Sequence, residues 1–283
     1  GRITGISPWL TSTAALAFSI LAPLPFIFIF VLNYEWIDPF FKHKQSVNVI
    51  GRLRRPGTVN VKRLLILSGH HDSALENTWL RYLGSGFLIA GPTVFIGCLT
   101  MAVMSAIQLA GVLTGSAALV RAGTLGWVLL VYPIVPSIIF AMFFNMGRKN
   151  GGTVPGAADN LAASALAVAM CRFLVKNPST IPAGTEIQFV FFGAEEAGLR
   201  GSWRYVERAG VPYKVKPGLI GTGGSDAGSF SQAGLKATTL MPFKMPQQMV
   251  AFYHQKWDGP EVLTMEPLFN VLKLTLEWIR CGG

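Results

Sequence analysis

From Tyr82 to Val120 the chain carries no charged residue, and it is uncharged again from Ala122 to Gly147 and, earlier, from Ile3 to Tyr34. These runs constrain the fold more than any other feature, because about 20 apolar residues suffice for a helix to cross a bilayer. Composition agrees: 51% of the residues are hydrophobic and 13% charged, against about 25% charged in soluble domains. The runs predict about three transmembrane helices. One lies in an N-terminal segment, residues 1–34, and two form an inserted helical hairpin, residues 83–147, whose arms are joined through GVLTGSAALVRAG. Pro92, Pro133 and Pro136 kink the arms, which is tolerated where neighbouring helices or water satisfy the freed carbonyls. Cys98, Cys171 and Cys281 lie far apart and imply no disulfide framework.

Charge predicts the orientation. Lys42, Lys44, Arg52, Arg81, Arg148 and Lys149 flank the apolar segments on one side, and only Arg2 and Arg121 on the other. The positive-inside tendency therefore puts the polar part of an integral membrane protein in the cytoplasm. The net charge of +10 reads as a basic surface against the anionic headgroups of a lipid bilayer. Nucleic acid is not an expected partner, since the charges are dispersed and no aromatic-basic motif accompanies them.

The polar remainder, residues 46–82 and 148–283, alternates strand and helix patterns. VKRLLILSG and EIQFVFFG are short apolar runs closed by glycine, as buried strands are, and LKATTLM reads as a third strand. DNLAASALAVAMCRFLVKN, GLRGSWRYVERAG and PLFNVLKLTLEWIRC carry helical spacing. The alternation predicts an α/β domain, a mostly parallel sheet flanked by helices, with functional residues at the carboxyl ends of the strands.

Histidines and carboxylates gather at those ends. HHDS follows the run LLIL, and the two-residue spacing of His70 and Asp72 directs both to one side of an extended chain. An aspartate so placed can receive an imidazole N–H and orient a metal-ligating histidine. Asp159 in PGAADN reads, taken alone, as a helix N-cap. Glu195 and Glu196 end a strongly apolar strand, where burial is costly unless something compensates their charge. A metal for one and proton transfer for the other would do so. His254 stands in FYHQKWDGPE, and taken alone reads as a loop histidine. Tyr205, Trp203, Tyr253 and Trp257 are available to line a cleft. GTGGSDAG lacks the lysine and helix context of a phosphate loop.

Taken together, the succession HxDS, GAxDN, FxxFGAEEAGLRGS, GGSDAGSF and YHxxxD resembles peptidase family M28, the zinc metallopeptidases that include aminopeptidases. The resemblance implies a zinc-exopeptidase-like fold with one or two zinc ions. It implies His70, Asp159, Glu196 and His254 as metal ligands, with Asp159 bridging, Glu195 as general base and Asp72 as the residue orienting His70. It also implies a peptide substrate, from which N-terminal residues are removed by metal-activated water. Two departures stand out. The family's further metal-binding aspartate between the glutamate pair and the SD motif is missing from Ser202–Ser225. Asp226 matches the SD motif rather than that position, as a possible pocket residue or substitute ligand. The chain is thus an internally shortened variant, a single-zinc enzyme of glutaminyl cyclase type, or an inactive receptor or scaffold domain. The second departure is the hairpin inserted between His70 and Asp159. Two crossings return the chain to its starting side, so the hairpin leaves the site intact and sets it beside the bilayer.

Overall fold

In the computed structural model, the structure describes residues 7–24, 27–28, 35, 38–40, 42–129, 152–208, 224–243 and 248–283. The chain divides into two compact units, one of Gly1–Phe40 with Thr78–Met146, the other of Phe41–Asn77 with Gly147–Gly283.

The first unit is helical. Helix α1 (Pro8–Leu21) starts with proline in its first turn, where the missing N–H costs nothing. Helix α2 (Thr78–Leu83) precedes the long α3 (Phe87–Thr114), which carries Pro92 inside it and closes at Gly115 in the left-handed conformation. Helix α4 (Ala117–Leu129) returns against α3. A Cβ at Gly123 would overlap Gln108, so a small residue is what lets the two arms approach.

Several polar side chains of this unit are buried while several large apolar ones are exposed. Ser12, Ser19 and Ser105 are buried, whereas Phe18, Ile89, Leu99 and Leu113 are exposed. Ser12 Oγ donates to Gln108 Oε1 at 2.8 Å, and Gln108 Nε2 donates to Thr124 Oγ1 at 3.2 Å, tying α1, α3 and α4 through polar contacts.

By length and composition, Pro92–Thr114 is able to cross a membrane, while Pro8–Leu21 is a shorter apolar helix. The third expected crossing lies mostly outside the described residues. Ala157–Lys176 meets the same criterion, but its buried Ala167, Met170 and Leu174 belong to the core of the second unit.

The second unit is built on a three-stranded sheet in the order β1-β3-β2, with β1 Val49–Arg54, β2 Arg63–His70 and β3 Thr185–Phe192. Strands β2 and β3 are parallel, pairing Arg63 with Thr185 through His70 with Phe192. Strand β1 is antiparallel to β3, with Val49 opposite Phe191 and Arg54 opposite Glu186.

Among the described residues the sheet is therefore mixed, with one parallel and one antiparallel pairing. The link from Arg54 to Arg63 is shorter than the dozen or so residues a parallel crossover needs. It crosses one end of the sheet and leaves β1 reversed. LKATTLM is not a strand. Residues 235–241 pair with no strand among those described, and Leu235, Leu240 and Met241 are exposed.

One face of the sheet packs on α5 (Ala162–Lys176) and α9 (Met265–Cys281), through Leu65, Ile187 and Phe189 against Ala167, Met170, Leu174 and Ile279. Ala167, Met170 and Leu174 recur at the spacing of one helical face. On the other face Val190 and Phe192 pack with Val206 of α6 (Arg200–Arg208) and Phe230 of α7 (Asp226–Gln232). A short helix, α8 (Met249–Phe252), leads into the turn that carries His254. With both faces covered, β3 is buried almost throughout, which is why it reads as a continuous apolar run.

Candidate metal centre

The parallel pair β2 and β3 end side by side, His70 opposite Phe192, so the residues that follow each strand emerge at one edge. His70 is itself buried at the end of β2. It is held there by close packing of α5: a Cβ on Gly69 would lie 3.0 Å from Ala163 Cβ and from Ser164 N. Ser164 Oγ donates to the His70 carbonyl at 3.1 Å.

Asp159 arrives from the turn before α5. Its Oδ1 lies 3.3 Å from His70 Nε2, and its Oδ2 lies 3.3 Å from His254 Nε2. One carboxylate thus faces two imidazoles, one with each oxygen. Glu195 Oε2 is 3.7 Å from His70 Nε2, and Glu196 Oε2 is 3.2 Å from His254 Nε2. His70, Asp159 and Glu196 offer ligand atoms that all lie within 4.8 Å of one another. His254 Nε2 sits close to two carboxylate oxygens but off the line of a hydrogen bond to either, and Glu196 Oε1 is likewise buried without a hydrogen-bond partner. Ligand-type atoms converging with unspent hydrogen-bonding capacity fit a shared divalent cation, for which N and O donors of this kind are suitable.

The backbone is strained where it delivers these groups. His254 itself has φ 52°, and Ala194 (φ 57°) and Leu199 (φ 59°) bracket the glutamate turn. Side chains other than glycine are uncommon in that region, and functional sites are where such strain collects.

Asp72 lies beside both His70 and the turn after β3. The nearer acceptor for His70 Nδ1 is the Asp72 carbonyl at 3.1 Å, with the carboxylate Oδ1 at 3.6 Å. That carboxylate accepts the backbone N–H groups of Glu195 and Glu196, each at 3.1 Å. The side chain is short enough to reach the turn beyond β3, and two directed amide donors hold it there.

Asp258 received no role from the sequence. It is fully buried, and its Oδ1 and Oδ2 accept the N–H groups of Ala158 and Asp159 at 2.8 and 3.2 Å. The signal was available in YHxxxD, whose last residue it is. Asp226 is buried at the start of α7 with Oδ1 lacking a hydrogen-bond partner, and it is not one of the three converging donors. Of the aromatic residues, Tyr205 packs against Phe192 and Phe230, and Trp203 is buried. Tyr253 stacks on the His254 ring at 3.8 Å, and Trp257 stays partly exposed. Residues 209–223, where the expected ligand segment is shortened, lie outside the described residues.

The electrostatics express a surplus of anions. Burial works against a charged His70, but its contact with Asp159 and the charges of Glu195 and Glu196 prevail and raise it to about 10. His254 is raised to about 9 against burial by Asp159 and Glu196. Burial would raise Asp159, yet the two imidazoles hold it far below the usual carboxylate range. Burial pushes Glu195 up to about 9; His70 opposes the rise, and the carboxylates of Asp226, Glu196 and Asp159 add to it. Asp226 is raised to about 6, chiefly by burial.

Imidazoles and carboxylates converging at the ends of parallel strands in an α/β unit define a candidate metal centre. Residues 145–216 match peptidase family M28. It is also similar to Aminopeptidase YwaD of Bacillus subtilis (strain 168), 43% identical over 53 residues, which cover 19% of this chain and 11% of that protein. The chain thus spans about a tenth of the length of this relative. No solved structure matches it.

Proposed function

We propose that the chain is a membrane-anchored, zinc-dependent exopeptidase that removes N-terminal residues from peptides. The observation that carries this reading is Asp159 facing His70 and His254 with separate oxygens, while Glu195 and Glu196 stand beside those imidazoles. His70, Asp159, Glu196 and His254 are the residues that would hold zinc. A bound zinc ion supplies Lewis acidity toward a water nucleophile and a peptide carbonyl.

Glu195 has the position of the general base, accepting the proton of the attacking water and passing it to the departing amine. The burial and neighbouring carboxylates that push Glu195 up would be opposed by the positive charge of a bound cation. Asp72 holds the Glu195–Glu196 turn through the two amides, so both side chains keep fixed starting points. The family relation supports a peptide substrate.

Anchoring is supported by the helical unit, whose long apolar α3 and exposed apolar side chains suit a lipid solvent. The charge distribution favours a cytoplasmic catalytic unit.

A second reading, a single-zinc enzyme of glutaminyl cyclase type, is favoured by the tight grouping of Asp159, Glu196 and His254 in a chain whose 202–225 stretch lacks aspartate. Zinc content and hydrolysis of aminoacyl chromogenic substrates, with Glu195→Gln as control, test the peptidase. Bound zinc without hydrolysis defeats it, and pyroglutamate formation from an N-terminal glutamine peptide selects the second reading.

A further inference from the structure

Asp258 is a carboxylate with no exposed surface and, among the described residues, no ion-pair contact. Burying such a charge is expensive unless directed hydrogen bonds compensate it. Its compensation comes from the backbone of one turn. Oδ1 accepts Ala158 N–H, Oδ2 accepts Asp159 N–H, and the Asp258 carbonyl accepts Ala157 N–H at 2.9 Å.

The segment that carries Asp258 is itself fixed. Its N–H donates to the Gln255 carbonyl at 2.9 Å, Gln255 Nε2 donates to the Asn77 carbonyl at 2.9 Å, and Asn77 N–H donates to the His254 carbonyl at 2.8 Å. His254 and Asp159 come from distant parts of the sequence, and Asp258 ties the turn bearing one to the turn bearing the other. Asp72 makes the same two-oxygen grip on the amides of Glu195 and Glu196, so each carboxylate-bearing turn of the site is held by a second carboxylate.

We infer that Asp258 is a positioning residue for the metal centre, fixing the Ala158–Asp159 backbone so that Asp159 presents one oxygen to each imidazole. The inference rests on the site being a metal centre, as proposed above. Replacing the side chain with asparagine keeps its shape but sets an amide NH₂ against a backbone N–H, which breaks one of the two bonds.

Zinc titration calorimetry on the full chain, with thermal unfolding of the zinc-free forms, separates positioning from support of the fold. Asp258→Asn is expected to lower zinc affinity by about 10- to 100-fold, the range found for residues that orient ligands, at a temperature where both zinc-free forms are still folded, although the lost hydrogen bond lowers the variant's unfolding midpoint. Equal zinc affinity in wild type and variant overturns the inference and leaves the metal centre standing. A wild-type chain that binds no zinc overturns both. If the variant does not fold, hydrogen exchange on the wild type decides: slow exchange at the Ala158 and Asp159 amides upholds the clamp, and exchange at open-loop rates overturns it.

Discussion

Asp159 Oδ1 lies 3.3 Å from Nε2 of His70, although an uncharged stretch sufficient for membrane helices lies between the two residues in sequence. The chain enters the helical unit at Thr78 and leaves it at Met146. An insertion whose ends return to the same unit leaves the pairing of His70 with Asp159 possible, and a hairpin with an even number of crossings has that property. The expectation that follows is topological. A tag in the turn at Gly115–Ser116 and a tag at the C-terminus should become accessible from opposite faces of the membrane in a protease-protection or labelling assay.

Glu195 stands 3.7 Å from His70 Nε2 and is the proposed base. Glu195→Gln should leave zinc binding within a few-fold of wild type and lower kcat by at least about 100-fold, the lower end for loss of a general base. Peptide hydrolysis and zinc content measured on the same preparation check this.

The pH dependence of the zinc-free protein follows from groups that hold protons more tightly folded than unfolded. His70 and His254 rise from 6.5 to about 10 and about 9. Their contribution to stability is complete below about pH 6.5 and is lost as pH climbs through 9 to 10. Glu195, raised from 4.5 to about 9, acts in the same direction over pH 4.5 to 9. The thermal midpoint of zinc-free protein should fall from pH 6.5 to 9, as scanning calorimetry at several pH values would show. Zinc must displace these protons, so its affinity should rise over the same range.

Gly69 is predicted to tolerate a branched side chain poorly. A Cβ there would stand 3.1 Å from Asn160 Oδ1 as well as 3.0 Å from Ala163 Cβ, so valine must push the turn carrying Asp159 away from β2. Gly69→Val should weaken zinc binding by at least about 10-fold and lower the unfolding midpoint. Calorimetric titration and thermal melts read the two effects.

Much of the second unit is legible in the sequence, for identifiable reasons. EIQFVFFG announces β3 because the strand is covered on both faces and needs no alternation. The 167, 170, 174 spacing announces α5 because the helix has one buried face. NVIGRLR, which carries β1, does not read as a strand in isolation. Its glycine and arginines suit an edge strand with Arg54 paired to Glu186, but in isolation they look like loop. LKATTLM has strand composition and no partner among the described residues, and composition cannot supply a ladder. For the site, the residue types at strand ends located the donors. Which acceptor each donor meets depends on tertiary geometry: Asp72 reaches two amides across to the β3 turn, and Asp258 reaches the Asp159 turn, neither of which any spacing in the sequence encodes.

The central claim is that His70, Asp159, Glu196 and His254 hold a divalent metal with Asp159 between the imidazoles. Elemental analysis of the purified full chain, after zinc loading and removal of unbound metal, tests it most directly. About one or two zinc ions per wild-type chain, and none in Asp159→Asn, is the predicted result. A wild-type chain that emerges free of zinc, or an Asp159→Asn chain that keeps the full wild-type content, would contradict it.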